Sequence, residues 1–357
     1  GLALAYTAGG AEDVENAYTL ELAGNHELCL LMASFEDSHP LVKQLWSVAQ
    51  LYDTSFPPLR WIVPGVLPTG LGFVSGRPKI GKSYLVMQIS GAVATGGVVF
   101  GKRVAQGRVF YLALEDTPRR LRDRLLQMGI PRGADIRFAT DWPPFSLGGA
   151  KDLLQEIGGG YSVVIVDTFS RAIGRADQMD ATAMTLAMSQ LHHIAAHEDV
   201  ALLLVDHHRK SASMAMDSDP IDDIFGSTAK AGVVDVALGL YRKHGTPDAT
   251  LKVTGRDVEE QELALHWDAE HFNWVYRGDA EEHERTQREA EVINGLQGLG
   301  WASLRDLSDV TGQDRSNLHG RLQKLVEEGA VERKEQKGRV YYKLVDSTQP
   351  PLGFEDL

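Results

Sequence analysis

The stretch Gly76-Arg77-Pro78-Lys79-Ile80-Gly81-Lys82-Ser83 decides how the rest of this chain is read. It fits the pattern G-x-x-x-x-G-K-[ST], and phosphate chemistry asks for each part. Backbone N–H groups must point inward around an anion, so glycines stand where a side chain would block the approach. The lysine meets the charge of the β- and γ-phosphates, and the hydroxyl reaches Mg²⁺. The flanks supply the context. Leu71-Gly72-Phe73-Val74-Ser75 reads as a short buried strand entering the loop. Tyr84-Leu85-Val86-Met87-Gln88-Ile89-Ser90 reads as a helix whose N-terminus faces the anion. Together they imply ATP and Mg²⁺, held by Gly76 to Ser83 with Tyr84 at the start of the helix.

Outward from the loop, apolar runs alternate with amphipathic ones. Arg108 to Leu114 is a strand ending in Glu115-Asp116, and Thr117-Pro118 starts a helix with Leu121, Leu125 and Met128 on one face. A short strand, Ile136 to Phe138, and a helix from Gly149 to Ile157 follow. Tyr161 to Asp167 is nearly continuous and β-branched, which marks a parallel strand buried on both faces. A helix over 181–197 leads to the strand Ala201 to Val205, ending in Asp206-His207-His208. This alternation specifies an α/β fold with a mainly parallel sheet, whose ligands gather at the carboxyl ends of the strands. A loop over 210–223, Gly226-Ser227-Thr228 and three more strands (234–241, 250–254, 262–267) complete a core that ends near Tyr276.

The chain has 357 residues, enough for two domains, and a formal charge of −13. That charge argues against a uniformly basic coat for nucleic acid. It is unevenly spread: residues 1–56 hold one Lys against eight Asp/Glu, whereas residues 284–346 hold 11 of each sign. The boundaries expected are an acidic N-terminal extension (1–56), an ATPase domain (57–278), a small second domain (279–346) and a tail (347–357), with 279–291 a charged linker running into a helix. In the extension, residues 41–51 have helical spacing. Cys29 stands alone, so no intrachain disulfide can form; with no apolar run of membrane-spanning length, a reducing, cytoplasmic setting is expected.

Asp167 closes its strand where a carboxylate can hold Mg²⁺ through water while Ser83 ligates it directly. Glu115 is placed to orient or activate the attacking water, with Asp116 competing for the role. His208, or His207, stands at the next strand end, where a polar side chain can sense the γ-phosphate. His193 and His197 have metal-ligand spacing, but no H-E-x-x-H pattern accompanies them and zinc is not expected. Arg256, beyond Lys252 on a strand, suits a finger that reaches a neighbouring subunit's ATP.

The phosphate loop, Phe110 to Asp116, the Asp167 strand, Val205 to Lys210, Gly226-Ser227-Thr228 and Leu251 to Asp257 occur in an order that resembles the RecA-like ATPases of the RepA-type replicative helicase group, relatives of the DnaB helicases. The resemblance spans about residues 60–276. It implies hexameric rings that hydrolyse ATP while moving on single-stranded DNA, with Glu115 as catalytic glutamate, Arg256 as finger and His208 as strand-end sensor.

The C-terminal segment reads as helix-turn-helix plus a β-wing, which looks like a winged helix. Helices are expected over 284–298, 303–310 and 315–328, with Thr311-Gly312 as the turn, Asp314 as a cap and a hairpin over 330–344. On the third helix, Arg315, Ser316, Asn317, His319 and Arg321 suit base edges; Lys334, Lys337 and Arg339 on the wing suit phosphates of duplex DNA. A protein-contact module is the competing reading of this neutral segment. The function expected is a DNA motor, a hydrolase serving replication of a plasmid, phage or mobile element as a homo-oligomer. The alternatives are an ATP-gated DNA-binding regulator and a RadA- or KaiC-like recombination or signalling ATPase.

Overall fold

A computed structural model describes residues 45–158, 160–174, 181–207, 233–242, 245–336 and 338–345. In chain order the core elements are α1 (Val48–Asp53), β1 (Trp61–Val63), β2 (Leu67–Pro68), β3 (Gly70–Gly76), α2 (Lys82–Thr95), β4 (Val98–Val99), β5 (Lys102–Arg103) and β6 (Val109–Ala113). Then come α3 (Pro118–Gln127), β7 (Ile136–Ala139), α4 (Gly149–Ile157), β8 (Val163–Asp167), α5 (Phe169–Ile173), α6 (Ala181–His197) and β9 (Ala201–His207). The antiparallel run β10 (Val236–Arg242), β11 (Asp248–Gly255), β12 (Gln261–Asp268) and β13 (Asn273–Asp279) closes the core.

Nine strands form one sheet in the order β13-β12-β11-β10-β3-β9-β8-β6-β7. From β10 to β7 all neighbours are parallel, and β10 to β13 pair antiparallel. Strands β6 and β8 are buried along their whole length, as continuous apolar runs covered on both faces require. One face packs on α2, whose Leu85, Met87 and Ile89 are fully buried; each such side chain contributes about 1.5–3 kcal/mol. The other face packs on α4 and α6 through Leu153, Ile157, Leu191 and Ile194.

Register sets the site. Gly76 pairs with His207, Asp167 with Val205, and Ala113 with Asp167. Gly76 and His207 are level, Asp167 lies two residues below them, and the Glu115 turn follows Ala113, so all four open at the same end of the sheet.

Three sequence expectations change. A fourth strand, β13, follows the three predicted after residue 234, because Trp274 is wholly buried against α2. No linker separates the core from the next segment: Asp279 ends β13 and caps α7 (Ala280–Leu299), its carboxylate accepting from the N–H groups of Glu281 and Glu282 at 3.0 Å. A charged sequence looks like a linker, but an N-cap Asp, acids in the first turn and the i,i+4 pair Glu284–Arg288 all favour helix. In the extension, residues 45–47 are not helical and α1 begins at Val48, where Ser47 and Gln50 form a capping box, and buries none of its residues; the rest of the helix expected over 41–51 lies outside the described residues.

Beyond α7 come β14 (Ala302–Ser303), α8 (Leu304–Thr311), α9 (Arg315–Glu327), β15 (Val331–Gln336) and β16 (Arg339–Leu344), with strand order β14-β16-β15. Val292, Leu296, Leu307, Leu318, Leu322 and Tyr342 make a separate core. Gly312, with φ 67°, ends α8 at the predicted turn, and Asp314 caps α9 by accepting from Ser316 N–H at 2.8 Å.

Candidate functional site

The loop between β3 and α2 is built to hold an anion. Gly81 begins α2 at φ 112°, and a Cβ there would lie 2.7 Å from Trp274 Cζ2; only glycine fits both the backbone conformation and the contact. The Trp274 indole N–H donates to Gly81 O at 3.2 Å, and the backbone of Trp274 exchanges two 2.9 Å hydrogen bonds with the Gln88 amide. Tyr84 turns its ring to Trp267 and Phe272, with centroids 5.1 and 5.9 Å apart. None of these aromatic supports was singled out from the sequence, because they come from strands nearly two hundred residues downstream.

Lys82 is buried, and its ammonium donates to Gly76 O at 2.8 Å and Arg77 O at 3.0 Å and lies 3.0 Å from His207 Nδ1. An ammonium has no acceptor, so His207 Nδ1 accepts and its proton sits on Nε2. Burial lowers the Lys82 pKa to about 8, against the opposing charges of Asp167, Asp206 and Glu115. His207 is thus the strand-end histidine that touches the loop; His208 lies outside the described residues. Asp206 faces elsewhere, accepting from Ser170 N–H at 3.0 Å and Ser170 Oγ–H at 2.5 Å.

Asp167 is buried, with hydrogen bonds to the Ser83 and Tyr111 hydroxyls. Tyr111 O–H donates to Asp167 Oδ2 at 2.8 Å. Burial raises the Asp167 pKa, and these two hydrogen bonds oppose the rise. A hydroxyl and an anionic carboxylate in contact at the start of α2 are the oxygen donors Mg²⁺ takes alongside phosphate. Among the described residues, no group of three or more His, Cys, Asp or Glu is placed to hold a metal, and His192 pairs with Asp235 at 3.3 Å.

The two adjacent acids differ. Asp116 is 10% exposed and fixed by Arg124 at 2.5 Å and Arg120 at 3.3 Å. Glu115 is 47% exposed; its Oε1 accepts from Thr168 Oγ–H at 3.1 Å and lies 3.7 Å from Arg171 Nε. Thr117 caps α3 with its own hydroxyl, so Glu115 is free of that duty.

Arg256 is not brought to this cluster. It follows Gly255, which pairs with Val236, which in turn pairs with Gly72 at the far end of β3. Four residues of strand, roughly 13 Å, separate that level from Gly76. There Arg256 lies 3.6 Å from Asp235 Oδ1.

On α9, Arg315, Ser316, Asn317 and His319 are exposed, as is Arg339 on the wing; Lys337 lies outside the described residues. Arg321 is only half-exposed: its Nη1 donates to Gln313 Oε1 at 2.7 Å, and Gln313 in turn donates to Glu291 Oε2 at 2.8 Å, so Arg321 ties α9 to α7. The reason is helical phase: Arg321 lies next to the buried stripe Leu318–Leu322–Leu325 on the side that faces α7. Lys334 is exposed, with its ammonium 4.2 Å over the Trp301 ring.

Residues 37–213 match the family described as AAA domain, and residues 290–335 match the IclR helix-turn-helix domain. A solved DnaB-like replicative helicase, described with its interactions with primase, is similar at 12% identity and a TM-score of 0.50, over 73% of this chain and 75% of that one. The core is a RecA-like ATPase fold. The RadB recombinase is also similar, at 17% identity and a TM-score of 0.42, over 59% of this chain and 90% of that one. No curated protein matches the sequence. The RecA-like core carries a C-terminal winged helix, and no helix among the described residues is long and apolar enough to cross a membrane.

Proposed function

We propose that this protein is an ATP-hydrolysing DNA motor of the RepA type, working as a ring in replication of a plasmid, phage or mobile element. One observation carries the reading. Lys82, Ser83, Asp167, Glu115 and His207 gather at one end of the sheet, while Arg256 lies at the other, out of reach of its own phosphate loop. An arginine so placed completes a neighbour's site in a head-to-tail ring, where it offsets transition-state charge.

In this reading Gly76 to Ser83, with the backbone of Tyr84, cradle the phosphates. Lys82 leaves the carbonyls of Gly76 and Arg77 for phosphate oxygens, and His207 loses its partner and registers the γ-phosphate. Ser83 and Asp167 would hold Mg²⁺, which would supply neutralisation of the phosphate charge. Glu115 takes a proton from the attacking water as its oxygen bonds to the γ-phosphorus and ADP leaves. Single-stranded DNA threads the ring, and the winged helix docks on duplex through Arg315, Ser316, Asn317, His319, Lys334 and Arg339. The test is ATPase rate with and without single-stranded DNA, together with mass measurement in a non-hydrolysable ATP analogue. Stimulation by DNA and a ring-sized oligomer are expected; an unstimulated monomer refutes the motor.

A second reading, an ATP-gated DNA-binding regulator, is favoured by one contact chain. Trp274 touches Gly81, and its strand β13 runs without a linker into α7 of the winged helix. Duplex affinity that changes with nucleotide, without stimulation by single strands, selects it.

A further inference from the structure

The strand β6 carries a hydroxyl that core packing does not require. Tyr111 is fully buried in a run of apolar residues, Val109-Phe110-Tyr111-Leu112-Ala113, and its ring packs on Phe138 with centroids 5.4 Å apart. A phenylalanine would fill that space. Among the described residues, the hydroxyl has one hydrogen-bond partner, Asp167 Oδ2 at 2.8 Å. Register makes the contact: Ala113 pairs with Asp167 and Tyr111 with Ile165, so Tyr111 shares the face of Asp167 one pleat below it on the adjacent strand.

We propose that Tyr111 is a positioning residue for the metal-holding carboxylate, fixing the orientation of Asp167 from inside the sheet; this rests on the reading of Asp167 as the Mg²⁺-holding group. A carboxylate turns about a broad, roughly two-fold torsion, so a group held only at its outer side has two or more orientations. Ser83 holds Asp167 from the loop side, and its hydroxyl is the group that turns to the metal. Tyr111 holds it from the sheet side and remains when Ser83 leaves. Its position is itself fixed by the surrounding core, where its fully buried ring packs on Phe138. Partners that orient a metal-holding carboxylate typically change metal affinity or activity by about 10–100-fold when removed.

The experiment uses the full chain with Tyr111→Phe, which keeps the ring and removes one oxygen. Mn²⁺ binding is followed by the electron paramagnetic resonance of free Mn²⁺ in the presence of a non-hydrolysable ATP analogue. Analogue binding in EDTA is measured alongside. The expected result is a half-saturating Mn²⁺ concentration raised about ten-fold or more, with metal-free analogue affinity unchanged. Unchanged Mn²⁺ affinity overturns the inference and leaves Tyr111 a core residue. Equal losses with and without metal also overturn it, by placing the effect on the loop as a whole. Wild-type protein that binds no Mn²⁺–nucleotide refutes the proposed function itself, an outcome visible before the variant is made.

Discussion

Glu115→Gln and Asp116→Asn, one residue apart, are expected to fail in opposite ways. Asp116 is almost fully buried and is the 2.5 Å partner of Arg124, itself 12% exposed. Burial disfavours the charged Arg124, but Asp116 and its hydrogen bonds outweigh that and raise its pKa. Removing the Asp116 charge leaves a buried guanidinium with a neutral partner, and breaking such a pair costs about 3–5 kcal/mol. Arg124 also stacks on Tyr84, so the loss spreads to the start of α2. Glu115 is half exposed, and among the described residues its carboxylate contacts Thr168 and, loosely, Arg171. Its neutral isostere belongs with surface changes, worth about 0.5 kcal/mol or less. Loss of a general base, however, removes about 10²–10⁴ in rate. Urea unfolding followed by core tryptophan fluorescence, a fluorescent ATP analogue and steady-state phosphate release separate the two. Glu115→Gln should keep its midpoint and bind ATP while hydrolysing at a hundredth of the rate or less. Asp116→Asn should unfold at clearly lower urea and retain hydrolysis in whatever fraction is folded. A stable, inactive Asp116→Asn beside a Glu115→Gln of near-normal rate would reverse the assignment.

Lys82→Ala should abolish tight nucleotide binding. In the wild-type protein, ATP affinity should be steady below the Lys82 pKa of about 8 and weaken as pH rises through it, because the ammonium that meets phosphate is lost; an affinity flat from pH 7 to 9.5 contradicts this. Arg256→Ala should bind ATP but hydrolyse it roughly 10³-fold or more slowly, and mixing it with Lys82→Ala should restore activity by pairing an intact loop with an intact arginine; an active Arg256→Ala on its own refutes the trans reading. Arg339→Ala, on the wing, should weaken duplex binding and flatten its salt dependence by about one counterion without a change in melting temperature. Arg321→Ala should mainly lower the stability of the winged helix, measured by thermal melting, through loss of its Gln313 contact.

The core elements were legible because local pattern carries them. Helix α4 runs from Gly149 to Ile157 and α6 from Ala181 to His197, as their periodicity predicts. The buried strands β6 and β8 announce themselves as unbroken apolar runs. What escaped were features whose local signal is shared by two structures. A charged stretch reads alike as linker or exposed helix, so local pattern places the start of α7 later than Ala280. Likewise, α9 shows five polar candidates, and only the tertiary structure shows that one of them, Arg321, is tied through Gln313 to Glu291 on α7.

The sequence alone determined the phosphate loop, the alternation that makes a parallel sheet, the carboxylates at its strand ends and the helix-turn-helix pattern. Each is written in neighbouring residues, where backbone conformation and hydrophobic period are set. The tertiary structure decided which groups meet. His207 reaches Lys82 across 125 residues, Trp274 reaches Gly81 across 193, and Tyr111 reaches Asp167 across 56. It also placed Arg256 at the end of the sheet away from its own loop. Such contacts depend on strand order and register, and these are fixed by burying both faces of the sheet at once, a condition on the whole chain that no local stretch contains.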